Sequence, residues 1–323
     1  MADVVVAIPL PGQPVRGNTA RGHPSDPDRL GHFLVGPENR LVEPAIRGVL
    51  EQRPTAYNPL VFYGVSGTGK SHLVQGLVAA WKSCFPSQRS VSTAAVDFAR
   101  ELGEAIEAQA VDDMRTRYRK AGLVVIEDVG RLSNKEAAQQ ELIATIDGLL
   151  RRDGQLVVTA SANPNELAGL LPVLKSRLSA GLTIPLVPPG PAARRAIVDH
   201  LAGLLQLDLP EAAARLLAQG LRGTVPELLG ALVQLDVRAR AERRPIQAAA
   251  VQRYLAEHRD ARRPHLRDIA VATAHYFSLR LADLRSGSRR RPVVTARNVA
   301  MFLAARNRPV ATKVSRPRRN LVV

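Results

Sequence analysis

Residues 60–71 read Leu-Val-Phe-Tyr-Gly-Val-Ser-Gly-Thr-Gly-Lys-Ser, and this stretch decides the fold. Its four leading apolar residues predict a buried strand, and the next eight fit G-x-x-x-x-G-K-[ST] before a helix. Such glycines let backbone N–H groups turn inward around a phosphate at the positive end of the helix. Lys70 then reaches the β- and γ-phosphates, and the Ser71 hydroxyl joins a Mg²⁺ shell. The stretch predicts a nucleoside triphosphate site. The pattern fixes Gly64 and Gly69, and Gly67 lies between them as a third glycine predicted to bind the nucleotide.

A second strand, Leu123–Ile126, is followed by two carboxylates, Glu127 and Asp128. A phosphate loop needs such a strand, because one acid holds Mg²⁺ through water and the other polarises the attacking water. We predict both acids to be catalytic and Glu127, with Ser71, to be a metal ligand. A solvated turn after the strand is the alternative explanation of the pair.

Apolar runs alternate with amphipathic segments from Phe33 to Val187, which predicts a parallel sheet covered by helices in an αβα sandwich. The Pro-rich run 187–191 breaks this alternation, and helical periodicity alone follows it. The predicted strands are Leu60–Tyr63, Arg89–Ser92, Leu123–Ile126, Gln155–Thr159 and Leu182–Leu186. The predicted helices are Lys70–Lys82, Val96–Gln109, Lys135–Arg152, Ala192–Leu205, Pro210–Gln219, Val225–Arg243, His265–Phe277, Leu281–Leu284 and Thr295–Arg306. We expect a disordered leader (1–28), a nucleotide-binding domain (29–187), a helical lid domain (188–259) and a basic domain (260–323).

Charge is concentrated at one end of the 323-residue chain, whose net charge is +16. Residues 260–323 contain fourteen Arg and one Lys against three Asp, a net charge of +12. Such a segment favours phosphates of nucleic acid or anionic lipid as partners. A single cysteine, Cys84, excludes an internal disulfide and a Cys-based zinc site and favours a reducing cytoplasm. No apolar run is long enough to predict a membrane-spanning helix.

Four further stretches resemble the AAA+ ATPases and, within them, the bacterial replication initiators of the DnaA family. The similar stretches are Phe33-Leu-Val-Gly36-Pro-Glu-Asn39-Arg40; Tyr57-Asn58-Pro59 together with His72-Leu73; residues 112–119; and Lys175-Ser176-Arg177. The resemblance runs from about residue 30 to 307 and implies an AAA+ P-loop domain that binds ATP and Mg²⁺. It places adenine beside Val35, Gly36 and His72.

The resemblance also assigns an arginine finger to Arg177, in a loop after the fourth strand. This finger reaches the γ-phosphate on a neighbouring subunit, so ATP stabilises a filament or ring. A surface arginine paired with an acid is the alternative explanation of Arg177.

Three positions depart from the family pattern. The family has Asp where Glu127 and the nucleotide-binding Ser161 stand, and Arg where Pro226 stands. That lid Arg touches the γ-phosphate and distinguishes ATP from ADP, whereas proline carries neither charge nor donor. Arg222 is a candidate replacement. We therefore expect ATP binding with slow or vestigial hydrolysis.

Residues 283–304 resemble the start of the family's helix-turn-helix DNA-binding domain, whose basic loop enters the minor groove. The family's G-R-D-H-T-T-V motif does not follow, and about 30 residues precede Phe33. We therefore expect an incomplete DNA-binding domain and no N-terminal partner domain. A solvated Arg-rich loop is the alternative. The residues predicted to grip DNA phosphates, independently of base sequence, are Arg289, Arg290, Arg291 and Arg297.

These patterns together predict a DnaA-like ATPase that self-assembles, binds DNA and acts in the initiation or regulation of chromosomal replication. One alternative is a nucleotide-dependent regulatory module that does not hydrolyse ATP and binds a replication or transposition partner. Another is a helicase-loader-type or transposition-helper ATPase, a group that usually lacks a C-terminal helix-turn-helix.

Overall fold

The computed structural model describes residues 5–9, 32–51, 57–261 and 266–306. The chain divides into two compact units, Met1–Gln252 and Arg253–Val323. Among the described helices, none is both long and apolar enough to cross a membrane.

A five-stranded parallel sheet forms the centre of the first unit, in the order β4-β5-β6-β3-β7. Its strands are β3 (Leu60–Tyr63), β4 (Ser90–Ala94), β5 (Leu123–Glu127), β6 (Gln155–Ala160) and β7 (Leu182–Pro185). Successive side chains of β5 enter different cores, because strand side chains alternate between the two faces. Val124 and Ile126 belong to one buried cluster, and Leu123 and Val125 to the other. The sheet is therefore covered on both faces, and the predicted αβα architecture is confirmed.

Six helices accompany this sheet. They are α1 (Val42–Leu50), α2 (Lys70–Cys84), α3 (Ala95–Glu107), α4 (Val111–Arg119), α5 (Glu136–Leu150) and α6 (Pro172–Ser179). Buried residues of α1 and α2, such as Val42 and Leu73, join one core, whereas α3 to α6 contribute to the other through residues such as Phe98 and Leu174.

The predicted leader contains a strand, which corrects the expectation that all of residues 1–28 are disordered. β1 (Val6–Pro9) pairs antiparallel with β2 (His32–Val35). The run Val4-Val-Val-Ala-Ile8 is rich in β-branched residues, which favour strands. Ile8 is buried in the same core as Phe33. The remainder of the predicted leader lies outside the described residues.

Three helices follow the sheet in the first unit: α7 (Pro191–Leu204), α8 (Glu211–Gly220) and α9 (Val225–Glu242). Pro191 begins α7 at a position where a missing N–H costs no hydrogen bond. A capping box between Thr224 and Glu227 fixes the first turn of α9. These helices pack on one another through buried residues such as Leu201 and Leu232. We refer to α7–α9 as the lid helices.

The next helix along the chain, α10, spans Ala248–Ala261. The second unit contains α11 (Leu266–Tyr276), α12 (Leu281–Arg285) and α13 (Arg291–Arg306). A small core of Ala274, Leu284 and Ala296 holds these last three helices together. α13 begins at Arg291, four residues before the predicted Thr295.

Candidate nucleotide-binding site

The phosphate loop connects β3 to α2, as its sequence predicts. Gly67 and Gly69 have φ angles of 81° and 92°, in the left-handed region that favours glycine. Lys70 begins α2, and its ammonium donates to the carbonyl oxygens of Gly64 at 2.7 Å and Val65 at 2.9 Å. These bonds hold the lysine along the loop, so the charge that meets a phosphate is already in place.

A cavity of about 1040 Å³ opens in front of this loop. Burial lowers the pKa of Lys70, and the Asp128 carboxylate partly offsets that effect. Lys70 and Asp128 thus place an ammonium and a carboxylate in the same cavity. The predicted site residues that line it are Gly67, Gly69, Lys70, Ser71, His72, Asp128 and Ser161.

Only one of the two acids after β5 lines this cavity. Glu127 is the last residue of β5 and is not among the lining residues. Asp128 adopts a left-handed conformation with φ 54°. Its backbone N–H donates to the Thr159 hydroxyl at 2.9 Å, and Thr159 is buried in the neighbouring strand. Thr159 is a positioning residue that sequence reasoning missed, because a hydroxyl inside an apolar strand carries no motif.

The β2 segment packs beside the phosphate loop. Val35 and Gly36, the predicted adenine neighbours, are both buried. An added Cβ on Gly69 would lie 2.9 Å from the Phe33 ring, whose centroid is 6.0 Å from that of His72. The segment therefore borders the cavity region without Val35 or Gly36 themselves lining the cavity.

Two side chains after β2 hold the turn that leads to the lid helices. The Asn39 amide donates to the Val187 carbonyl and accepts from the Val187 N–H, both at 3.0 Å. The Glu38 carboxylate accepts from the Gly190 N–H at 2.7 Å. The connection between the sheet and the lid helices is thus fixed at Val187 and at Gly190.

The lid helices approach the phosphate loop closely. An added Cβ on Gly67 would lie 2.8 Å from Thr224 Cβ, so the start of α9 lies against the loop. Pro226 lines the cavity, whereas Arg222 is exposed and does not. The lid side of the cavity is apolar, and its further members are Leu201, Val225, Leu229 and Val233.

Arg131 is a cation of this cavity that sequence reasoning missed. It lies in the 3-10 turn after Asp128 and is exposed. Because Pro226 provides no charge, Arg131 and Lys70 are the cationic side chains among the lining residues. Its position just after the acid pair was the available signal.

Arg177 lies on α6, not in a loop, which corrects the sequence expectation. Pro172 begins the helix, and Leu174 and Leu178 bury the same face one turn apart. The Arg177 side chain is 44% exposed and lies outside the cavity. Its guanidinium contacts both oxygens of Asp147 at 2.8 and 3.4 Å. An ion pair within the chain therefore occupies it.

The four predicted DNA-binding arginines differ in their surroundings in the second unit. Arg289, Arg290 and Arg291 are exposed at the start of α13. Arg297 instead donates to the carbonyls of Leu284 at 3.1 Å and Ser286 at 2.6 Å. Those bonds make Arg297 a support for the basic loop rather than a free cation.

Comparison with known families decides the assignment. Residues 28–185 match the model of the bacterial DnaA ATPase domain. Over this segment the chain is similar to the bacterial DnaA family. The phosphate loop and the sheet around it have the AAA+ fold.

Relatives of the DnaA family agree with this assignment. The chain is 31% identical over 278 residues to the chromosomal replication initiator protein DnaA of Lactiplantibacillus plantarum, covering 84% of this chain and 60% of that protein. The chain thus spans less than two thirds of that relative's length. Domain III of Thermotoga maritima DnaA superposes with a TM-score of 0.61 at 27% identity, covering 68% of this chain and 91% of that one. A DnaA bound to AMPPCP and single-stranded DNA gives 0.62 at 25% identity, covering 84% and 79%.

The DnaA-type cavity offers a donor set that fits Mg²⁺. Ser71 and Asp128 supply a hydroxyl and a carboxylate to the same space, and hard cations prefer such oxygen ligands. Among the described residues, no three His, Cys, Asp or Glu side chains are grouped to bind a metal by themselves.

Proposed function

We propose that this chain binds ATP with Mg²⁺ in the cavity between its phosphate loop and its lid helices. The observation that carries this proposal is the convergence of Lys70, Ser71 and Asp128 on one cavity in a DnaA-family domain. Lys70 contacts the β- and γ-phosphates, with backbone N–H groups of the loop around them. Ser71 and Asp128 hold the metal side.

The residues support ATP binding more strongly than hydrolysis. Mg²⁺, when bound beside Ser71 and Asp128, would neutralise phosphate charge. Asp128, whose N–H donates to Thr159, is the one carboxylate among the lining residues, so no second acid lines the cavity to polarise the attacking water. Glu127 does not line the cavity, and the lid wall at Pro226 adds no charge to the transition state. We therefore propose slow turnover, with a non-hydrolysing regulatory module as the second candidate function.

Self-assembly through Arg177 is the second part of the proposal. Its exposed guanidinium lies on a short helix at the surface, where a neighbouring subunit can reach it. Leaving Asp147 costs little, because exposed ion pairs contribute about 0–1 kcal/mol. A γ-phosphate on the neighbour, with more charge than one carboxylate, competes for the same donors. ATP then favours a filament or ring.

DNA binding is the third part. Arg289, Arg290 and Arg291 form an exposed cationic run whose guanidinium groups make no ion pair among the described residues of the second unit. Such a run contacts phosphates without reading bases, and its affinity falls steeply with salt. The DnaA that carries AMPPCP also carries single-stranded DNA. We propose that this chain acts on DNA in replication initiation or its regulation, together with replication proteins. A helicase-loader-type ATPase, the alternative, would bind no DNA through these three arginines.

The test is ATP binding and turnover by the full chain, with and without DNA, beside Lys70→Ala. Lys82→Ala is the matched control, because Lys82 lies on the same helix but is exposed and outside the cavity. We expect Lys70→Ala to abolish ATP binding and Lys82→Ala to leave it unchanged. Assembly is supported if the turnover rate per molecule rises with protein concentration and is lost in Arg177→Ala.

Each other outcome is informative. Tight ATP binding without turnover, unchanged in Asp128→Asn, favours the regulatory module. Turnover without DNA binding at low salt favours the loader class. Failure of the wild-type chain to bind ATP contradicts the proposal.

A further inference from the structure

A second cavity, of about 770 Å³, lies at the end of the sheet strands opposite the phosphate loop. Its loops precede β4, β5 and β6, whereas the phosphate loop follows β3, so the two cavities open at opposite ends of parallel strands. We call it the basal cavity and define it by Trp81, Arg89, Arg119, Lys120, Arg152 and Asp153. Its volume is in the range of small-molecule sites, about 300–1,000 Å³.

Positive charge dominates the basal cavity. Arg89, Lys120 and Arg152 are exposed and make no ion pair among the described residues, and Asp153 is the only lining acid. Arg119 differs, because its guanidinium donates to Glu141 at 2.9 Å. Three uncompensated cations around one concave surface attract an anion.

Two buried donors in the basal cavity have no acceptor. The Trp81 side chain is 3% exposed and lines the cavity, and its indole N–H has no hydrogen-bond partner among the described residues. The Arg119 Nε–H is also buried without a partner. Buried donors without partners are unfavourable, so both side chains are held there by packing.

The loops around the basal cavity are fixed by hydrogen bonds before any ligand arrives. The Gly122 N–H donates to the Arg89 carbonyl at 2.8 Å, and the Gly122 carbonyl accepts from the Gln155 N–H at 2.8 Å. The Asn58 amide donates to the Gly154 carbonyl at 2.8 Å. Binding therefore requires little ordering of the backbone, which favours affinity.

We propose that the basal cavity binds a small organic phosphate. Arg89, Lys120 and Arg152 meet the phosphate charge, and the Trp81 ring with Leu150 contacts the apolar part of the ligand. Asp153 accepts from a hydroxyl or amino group of that ligand. This site is separate from the proposed ATP site and does not depend on it.

The test uses Trp81 itself, because it is the only tryptophan of the chain. The full chain carrying Lys70→Ala, which removes the phosphate-loop lysine, is titrated with inorganic pyrophosphate while indole emission is recorded. We expect a saturable change with half-saturation at or below about 1 mM, shifted upward by added NaCl.

Variants then assign the binding to this cavity. Arg152→Glu should weaken the binding of pyrophosphate by at least about tenfold, since it replaces a charge attraction by a repulsion. Lys82→Glu makes the same charge change beside Trp81 but outside the cavity, and should leave binding within about threefold. Arg89→Gln provides a second variant should Arg152→Glu fail to fold by circular dichroism.

Three results would overturn the proposal. One is an emission that does not saturate with pyrophosphate. Another is an equal loss in Lys82→Glu and Arg152→Glu. The third is a response to a short DNA duplex but not to pyrophosphate, which would make the surface a nucleic-acid contact.

Discussion

Gln139 is a buried polar side chain whose removal should lower the stability of the fold. It is 1% exposed on α5. Its amide donates to the carbonyls of Leu132 and Gly169, both at 2.9 Å, and its oxygen accepts from the Leu171 N–H at 2.6 Å. These three bonds hold the turn that precedes α6, the helix that carries Arg177.

Gln139→Met keeps the length of the side chain and removes all three bonds. The Leu132 and Gly169 carbonyls keep the N–H groups of Lys135 and Asn134 as donors, so each lost amide bond contributes about 1 kcal/mol. The Leu171 N–H loses its acceptor, which costs about 1–3 kcal/mol. The apolar side chain returns part of this loss. We expect the free energy of unfolding to fall by about 3 kcal/mol.

Urea unfolding followed by circular dichroism measures this change. With an m value of about 3 kcal/mol/M, the midpoint should fall by about 1 M and m should stay constant. Gln140→Met is the matched control, because Gln140 is the exposed neighbour of Gln139 and its side chain makes one hydrogen bond, to Glu136 at 3.1 Å. A loss below about 0.5 kcal/mol in Gln139→Met, equal to that of the control, would refute this account of the turn.

Three further predictions concern the nucleotide site. Thr159→Val removes the acceptor of the Asp128 N–H, so ATP turnover should fall about tenfold with little change in ATP affinity; a proportional loss of affinity would contradict a positioning role. Arg131→Ala should weaken the binding of ATP more than the binding of ADP, by about five- to tenfold in fluorescent-nucleotide titrations. The reason is that an exposed cation near phosphates attracts the more highly charged ligand more strongly. Equal weakening of both nucleotides would place Arg131 away from the γ-phosphate. Asn39→Leu removes both bonds to Val187 and should lower the free energy of unfolding by about 2 kcal/mol in urea titrations, a result that an unchanged midpoint would exclude.

Local patterns predicted the elements that are decided locally. The phosphate loop needs glycines at fixed positions between strand and helix, so its sequence alone indicates its backbone. The strands β3 and β5 were found because Leu60–Tyr63 and Leu123–Ile126 are apolar runs that lie between two cores. β1 was missed because four residues within a Pro- and Gly-rich segment carry little signal, and their pairing with β2 is a long-range property.

The site as a whole needed the tertiary structure. The sequence proposed Glu127 and Asp128 alike, and only the left-handed backbone at Asp128 distinguishes them. Pro172 and the Leu174–Leu178 spacing are sequence signals for the helix that carries Arg177. They are weak signals, because the helix has only eight residues. The apolar lid wall comes from helices far along the chain, so no local pattern indicates that it faces the phosphate loop.

The bonds of Asn39 and Glu38 also have a consequence for biosynthesis. Asn39 leaves the ribosome among the first residues of the domain, but Val187 lies 148 residues later in the chain. The β2 segment must therefore wait until nearly the whole sheet has been translated before it can be locked in place. Contacts of such long range form late, because the chain entropy of closing the loop is lost before they are made. We expect nascent chains that end before Val187 to hold β2 loosely, and the segment to become resistant to protease only after the start of α7 has emerged.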